Sequence, residues 1–409
     1  MRRYDEHLLR PMGSHRKMKI LQIFNRYSYY GGEEGWVKTI ANALRSHHHI
    51  QNLYGSTETM LGTTFFSKAV APLKAIWNWD AFDKVIELQN VEKFDLWIVH
   101  NVFPGLSPAI YDAARKLDVP VLQYLHNYRF GCINGFLLNH GKPCTLCLSG
   151  SFLPAVQTRC WHESRVACAT MGISMTCLRT AGVLQQVAHW VAISHAQKAI
   201  HTRIGIPAEK ISVLHHFYDQ PMMRADRPGR DVLFVGRLSQ EKGVETLIDA
   251  WKQAGIRDRD LVIAGEGPMQ PQLEERARSV PNIRFTGFLK TEELEQAWLN
   301  AAVSVVPSIW EEPFGRVVLE SWGHGVPVLA ARIGALPELT EKGDTGWLFD
   351  PTSSESLSQA LRTVLADESA LAAAAAKCHE AVSKFSKENW ITAMNTILES
   401  VKAGAGGER

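Results

Sequence analysis

Two blocks of alternating strand and helix patterns, residues 18–217 and 231–385, constrain this chain more than any other feature. Between them lies "YDQPMMRADRPGR" at 218–230, polar, with two prolines and no period, which reads as a linker. In the first block "MKILQIFNR", "FDLWIVHNV", "VPVLQYLHN", the start of "VAHWVAISHAQKAI" and "KISVLHH" are short apolar strands. Helical stretches such as "WVKTIANALRSHHH" and "SPAIYDAARKLD" separate them. The second block runs "DVLFVGR", "DLVIAGEG", "IRFTGF", "VSVVPS" and "VPVLAAR", again with a helix between each pair. Strictly alternating strands and helices predict parallel sheets with helices on both faces, so each block is expected to be a doubly wound α/β domain. The chain has 409 residues, enough for two such domains.

The flanks read differently. Residues 1–17 are a basic extension without the apolar centre of a signal peptide, expected to be either a flexible tail or an over-called start with Met18 as the real beginning. Residues 386–409 are expected to form a last helix packing back on the first domain. No apolar run approaches the ~20 residues that span a bilayer. The net charge of +2 gives no reason to expect nucleic acid. The reading is a cytoplasmic protein. Peripheral contact with the inner face of the cytoplasmic membrane stays open. Within 128–165 the alternation dissolves into a loop holding Cys132, Cys144, Cys147 and Cys160, four of seven cysteines. A Cys₄ zinc site and reduced, buried thiols are both open readings of it.

In doubly wound sheets, ligands bind beyond the carboxyl ends of the strands. Five loops follow predicted strands and are expected to gather at one interdomain cleft: 31–35, 126–127, 236–242, 265–267 and 310–315. In "GRLSQEKG", Gly236 permits close backbone approach, while Arg237 and Lys242 supply two cations beside a helix start, a seat for a diphosphate. In "EEPFGRVVLE", Glu312 precedes a turn in which Pro313 suits a first helical turn and Phe314 and Gly315 offer backbone amides. Glu320 sits among Val317, Val318, Leu319 and Trp322, where an acid needs a hydroxyl or cation partner; a helix-surface acid paired with a Lys or Arg is the other reading. Gly31 and Gly32 in "YYGGEEG" allow a tight turn, and His126 directly follows a strand. "DRD" at 258–260 lies at the opposite end of its strand and reads as a solvated turn rather than a metal site.

Taken in order, "GG", "GRLSQEKG", "AGEGP" and "EEPFGRVVLE" resemble the retaining glycosyltransferases of family 4, of the bacterial polysaccharide biosynthesis type. The last fits that family's pattern of two glutamates separated by seven residues. The resemblance implies the GT-B fold, two Rossmann-like doubly wound domains facing an interdomain cleft. It implies an acceptor-binding first domain and a nucleotide-sugar-binding second one. It further implies that Glu312 and the Phe314 and Gly315 amides hold the donor sugar, and that Glu320 faces the ribose. Arg237 and Lys242 would hold the diphosphate, with the Gly31–Gly32 loop closing on it. His126 would stand beside the reacting sugar, and Gly265, Glu266, Gly267 and Phe288 would border the nucleotide. The implied reaction moves a hexosyl group from a UDP- or GDP-sugar to a hydroxyl of a glycan or lipid-linked acceptor, without metal or other cofactor. A GT-B sugar-nucleotide epimerase and an inactive nucleotide-sugar-binding protein are the alternatives. A glycoside hydrolase would use two carboxylates but would not need the cationic loop. One departure is "LHHFYD", where His216 takes the place of an asparagine in many relatives.

Overall fold

The computed structural model describes residues 17–26, 32–62, 64–223, 229–340 and 344–406. Most of the 1–17 extension, Gly31 and part of the 218–230 linker therefore lie outside the described residues. The described residues divide into two compact units. One draws on the described residues within Arg2–Asn139, Cys144–His215 and Glu388–Arg409, the other on those within His140–Pro143 and His216–Lys387.

The first unit is built on six parallel strands. They are β1 (Lys19–Arg26), β2 (His49–Ser56), β3 (Leu96–Val99), β4 (Val121–Tyr124), β5 (His189–Ala192) and β6 (Ile211–Val213). Their order is β2-β1-β3-β4-β5-β6. Ile20, Leu21, Ile23 and Phe24 of β1 are all shielded from water, as expected for a parallel strand covered on both faces. The helix after β1 begins at Gly32, earlier than the predicted Trp36, and runs to Leu44 with Glu33 and Glu34 in its first turn. Carboxylates there meet the positive end of the helix dipole, which extends the helix through the Gly-rich segment. Strand β2 was not expected from "HHHIQNLYGS". It pairs along β1 from Lys19↔His49 to Arg26↔Ser56.

Helices are denser in the cysteine segment than expected. It includes Leu153–Thr158 and leads into Arg165–Thr180, which Ser164 caps by accepting from the Ala167 N–H. Cys132, Cys144, Cys147 and Cys160 line one pocket in this unit. Burial pushes the Cys147 thiol up to about 11 and that of Cys160 up to about 12. Among the described residues, no group of three or more His, Cys, Asp or Glu is placed to hold a metal ion. The final helix, Lys387–Gly406, buries Trp390 and Met394. Its Asn395 Oδ1 lies 2.9 Å from His48 Nε2, and Lys402 pairs with Asp95 at 2.7 Å, so residues from Glu388 onward group with the first unit.

The second unit carries β7 (Asp231–Val235), β8 (Leu261–Ala264), β9 (Ile283–Gly287), β10 (Ala301–Val306), β11 (Val328–Ala331) and β12 (Gly346–Phe349). These too run parallel, in the order β9-β8-β7-β10-β11-β12. The chain leaves β7 toward one side and returns through β10 on the other, so the sheet reverses direction between those two strands. "DRD" is a solvated turn only in part, since Asp258 is exposed and Arg259 is not. Arg259 is buried and reaches Glu368 at 3.3 Å, while Arg284 joins Asp260 at 2.9 Å and Asp231 at 3.1 Å. The triplet ties the amino end of the sheet together. No helix among the described residues is long and apolar enough to cross a membrane.

Candidate functional site

In a sheet of this topology the carboxyl ends of the two strands flanking the reversal splay their loops apart and leave a crevice. In the second unit those loops are Gly236–Lys242 after β7 and Pro307–Gly315 after β10. Glu312, largely buried, anchors the pair. Its Oε2 accepts from Lys242 Nζ at 2.8 Å, Ser308 Oγ at 2.8 Å and Trp310 Nε1 at 3.0 Å. Its Oε1 takes no hydrogen bond among the described residues and is not sealed from solvent. One oxygen is thus fixed by three donors while the other stays available. The Lys242 ammonium also lies 5.4 Å from the centre of the Trp310 ring.

Backbone packing sets these loops. Gly243, with φ +69°, follows Lys242, and a Cβ there would come within 2.0 Å of the Pro307 carbonyl oxygen. Gly334 is pressed against Glu312 in the same way, at 2.4 Å from its backbone N and O. The Ala335 N–H donates to the Glu312 carbonyl at 2.8 Å. Gly315, at φ +92°, starts the helix Arg316–Gly323, and no side chain caps it. The helix Val244–Ala254 starts at Gly243, also without a side-chain cap. Both helix starts therefore offer first-turn N–H groups to an anion.

The loop after β8 meets the loop after β7 backbone to backbone. A Cβ on Gly265, φ +140°, would lie 1.9 Å from the Gly236 carbonyl oxygen, and one on Gly267 would lie 2.3 Å from that of Leu238. The Leu238 N–H donates to the Glu266 carbonyl at 2.9 Å. Glu266 Oε1 then accepts from the Phe288 N–H at 3.3 Å, which joins the loops after β8 and β9. The Phe288 ring itself is 74% exposed. Arg237 is exposed and its guanidinium has no partner among the described residues.

The structure separates the two readings of Glu320. Glu320 is not an acid hidden among apolar neighbours. Its side chain is 35% exposed and pairs with Arg316 one turn earlier at 3.4 Å. The Phe314 side chain is buried, with its ring 4.9 Å from that of His216 and 6.3 Å from that of Phe385, so only its backbone amide is left for a ligand. The unusual His216 therefore packs on the turn that carries Glu312.

The first unit holds Gly32 and His126, and each sits beyond a strand end: Gly32 at a helix start, His126 after β4. His126 lines a small pocket with Glu33, His100, Asn127 and Arg129. Burial pushes the His126 imidazole down to about 3 and holds His100 well below its usual range, so both rings are neutral at pH 7. Burial raises the Glu33 carboxyl to about 7, against the opposing Arg129 charge and a hydrogen bond from Asn127 Nδ2 at 3.1 Å. The sequence offered signals for His100, another histidine directly after a strand, and for Glu33 beside the paired glycines. It offered none for Ser308 and Trp310 as ligands of Glu312. Within its unit the structure joins Lys242 to Glu312 and the loop of Gly236 to that of Gly265, Glu266 and Gly267.

Residues 224–384 match the family model described as Glycosyl transferases group 1. Among curated relatives, a sulfoquinovosyl transferase of Arabidopsis thaliana is 37% identical over 139 residues, 33% of this chain and 26% of that protein. Glycogen synthase of Mycobacterium tuberculosis is 35% identical over 185 residues, 44% of each chain. A GDP-mannose-dependent alpha-mannosyltransferase of Corynebacterium glutamicum is 28% identical over 272 residues, 66% of this chain and 59% of the relative. The chain thus spans between a quarter and three-fifths of these relatives' lengths. Among solved structures, Anabaena HepE in complex with UDP superposes with TM-score 0.67 at 20% identity, over 94% of this chain and 100% of that one. Sucrose-phosphate synthase from Thermosynechococcus elongatus gives 0.67 at 18%, over 95% and 100%. The fold is GT-B, and the match to the group 1 glycosyltransferase model falls within the second unit.

Proposed function

We propose that the protein is a retaining, metal-independent glycosyltransferase that moves a hexosyl group from a nucleoside-diphosphate sugar to an acceptor hydroxyl in the building of a surface polysaccharide or glycolipid. The observation that carries this reading is Glu312, held by Lys242, Ser308 and Trp310 through one oxygen with the other left available, with Arg237, on the same loop as Lys242, exposed and unpartnered among the described residues. A fixed carboxylate accepts hydrogen bonds from vicinal sugar hydroxyls, and two cations beside uncapped helix starts receive a diphosphate.

In this reading Lys242 and Arg237 stabilise the charge that develops on the departing diphosphate, and Glu312 fixes the sugar. Glu320 and the loops of Gly265–Gly267 and Phe288 hold the nucleoside. Gly32 and His126 act from the first unit. Departure of the diphosphate breaks the anomeric C–O bond, the acceptor oxygen bonds to that carbon from the same face, and the acceptor proton passes to the leaving phosphate oxygen. Both UDP and GDP donors stay in view, since HepE is solved with UDP and the mannosyltransferase named above is GDP-mannose-dependent.

Thermal unfolding with UDP, GDP and NAD, each with and without EDTA, tests the donor site. A ligand at a hundred times its Kd adds about 2.7 kcal/mol to the state it binds. Stabilisation by UDP or GDP that survives EDTA is expected, followed by release of that nucleotide from its sugar conjugates when acceptor is added. Donor consumption without acceptor would favour an epimerase, and no shift with either nucleotide would overturn the reading.

A further inference from the structure

The pocket of the first unit contains a buried hydrogen-bond chain whose polarity can be read from its ends. Gln22, on β1, is buried, and its Nε2 lies 3.0 Å from the Val37 carbonyl oxygen and 2.8 Å from His100 Nε2. A carbonyl only accepts, so the Gln22 atom facing it is the amide nitrogen, and its second hydrogen points to His100. His100 Nε2 is then the acceptor, and the neutral ring carries its proton on Nδ1. That Nδ1 lies 2.8 Å from His126 Nε2. His126 Nε2 must accept, and its own proton sits on Nδ1. Among the described residues His126 Nδ1 has no partner, and it is not sealed from solvent.

We infer that Gln22 and His100 form a positioning relay that locks His126 as the neutral Nδ1–H tautomer, so that it acts as a hydrogen-bond donor to a ligand oxygen and not as a base. This rests on the reading of His126 as a ligand-facing group. The arrangement is not what packing alone favours. Among the described residues, Gln22 Oε1 is buried with no partner, an unfavourable state that an apolar residue of similar size would avoid. The neighbouring rings hold the plane of His126: centroid distances are 5.0 Å to His100 and 5.1 Å to Tyr124. Glu33, Tyr124 and Arg129 are the other titratable or charged groups lining the same pocket.

Histidine ¹⁵N NMR of the full chain, with His126 assigned by comparison with His126→Ala, reads the tautomer directly. A neutral Nδ1–H ring between pH 6 and 8 is expected. In Gln22→Leu the fold should persist while the tautomer becomes mixed. The loss of one oriented hydrogen bond should lower kcat by about tenfold with donor KM within about twofold. An Nε2–H or imidazolium His126 in the wild type, or an unchanged tautomer and kcat in Gln22→Leu, would overturn the relay. Transfer at the wild-type rate by His126→Ala, with the tautomer as expected, would instead remove the ligand-facing role and with it the relay's function.

Discussion

Lys242 and Glu312, seventy positions apart, meet at 2.8 Å across the point where the second sheet reverses direction. The Glu312 side chain is 9% exposed and that of Lys242 is 27% exposed, so the pair is mostly withdrawn from water. Removing the cation leaves a carboxylate held by only Ser308 and Trp310. Lys242→Ala should destabilise the second unit by about 1–3 kcal/mol, read as a lower urea midpoint. Lys242→Ala with an unchanged midpoint would mean that the two neutral donors suffice.

Glu312→Ala should retain the fold and lower sugar transfer by at least about a hundredfold, since it removes a carboxylate that three donors orient in this crevice. Normal turnover in that variant would place the donor sugar elsewhere.

Arg237 is exposed and unpartnered among the described residues, so Arg237→Ala should leave the unfolding midpoint within about 0.5 kcal/mol of wild type. Its binding of a nucleoside diphosphate should weaken by about tenfold or more, and that of the nucleoside hardly at all. Calorimetry with both ligands checks the difference. Equal losses would argue against a phosphate role.

Gly265→Ala asks for a Cβ 1.9 Å from the Gly236 oxygen at a φ of +140°. The loops after β7 and β8 must separate, so a loss of about 2–4 kcal/mol and of nucleotide-induced stabilisation is expected. Retention of both in a thermal scan would show that this close approach is dispensable.

Glu33 gives a pH signature. Its carboxyl rises from 4.5 to about 7 in the folded chain, so its contribution to stability is fully present below pH 4.5 and is lost as pH rises through about 7. His126 acts in the opposite sense: its depressed value contributes stability above pH 6.5 that is lost as pH falls toward 3. The two overlap, so the wild-type profile alone is ambiguous. The difference between Glu33→Gln and wild type isolates Glu33. It should grow in favour of the variant by at most about 3 kcal/mol between pH 4.5 and 8. Parallel urea midpoints across that range would contradict the burial of this carboxyl.

The alternation of apolar segments with helical ones, and the glycines and charges after "DVLFVGR" and "VSVVPS", determined the two parallel sheets and pointed to Arg237, Lys242 and Glu312. That much is local: parallel strands must be apolar on both faces, and their outgoing loops must carry the polar groups. Strand β2 escaped because "HIQNLYGS" is mostly half-buried and gains its strand identity from register with β1. Only the tertiary structure decided what the charges do. It paired Glu320 with its own helix neighbour Arg316, buried Arg259, and brought Lys242, Ser308 and Trp310 to a single oxygen of Glu312. It also set the direction of the Gln22–His100–His126 chain, because a hydrogen bond's polarity depends on which group faces which, and that follows from the pairing of β1, β3 and β4.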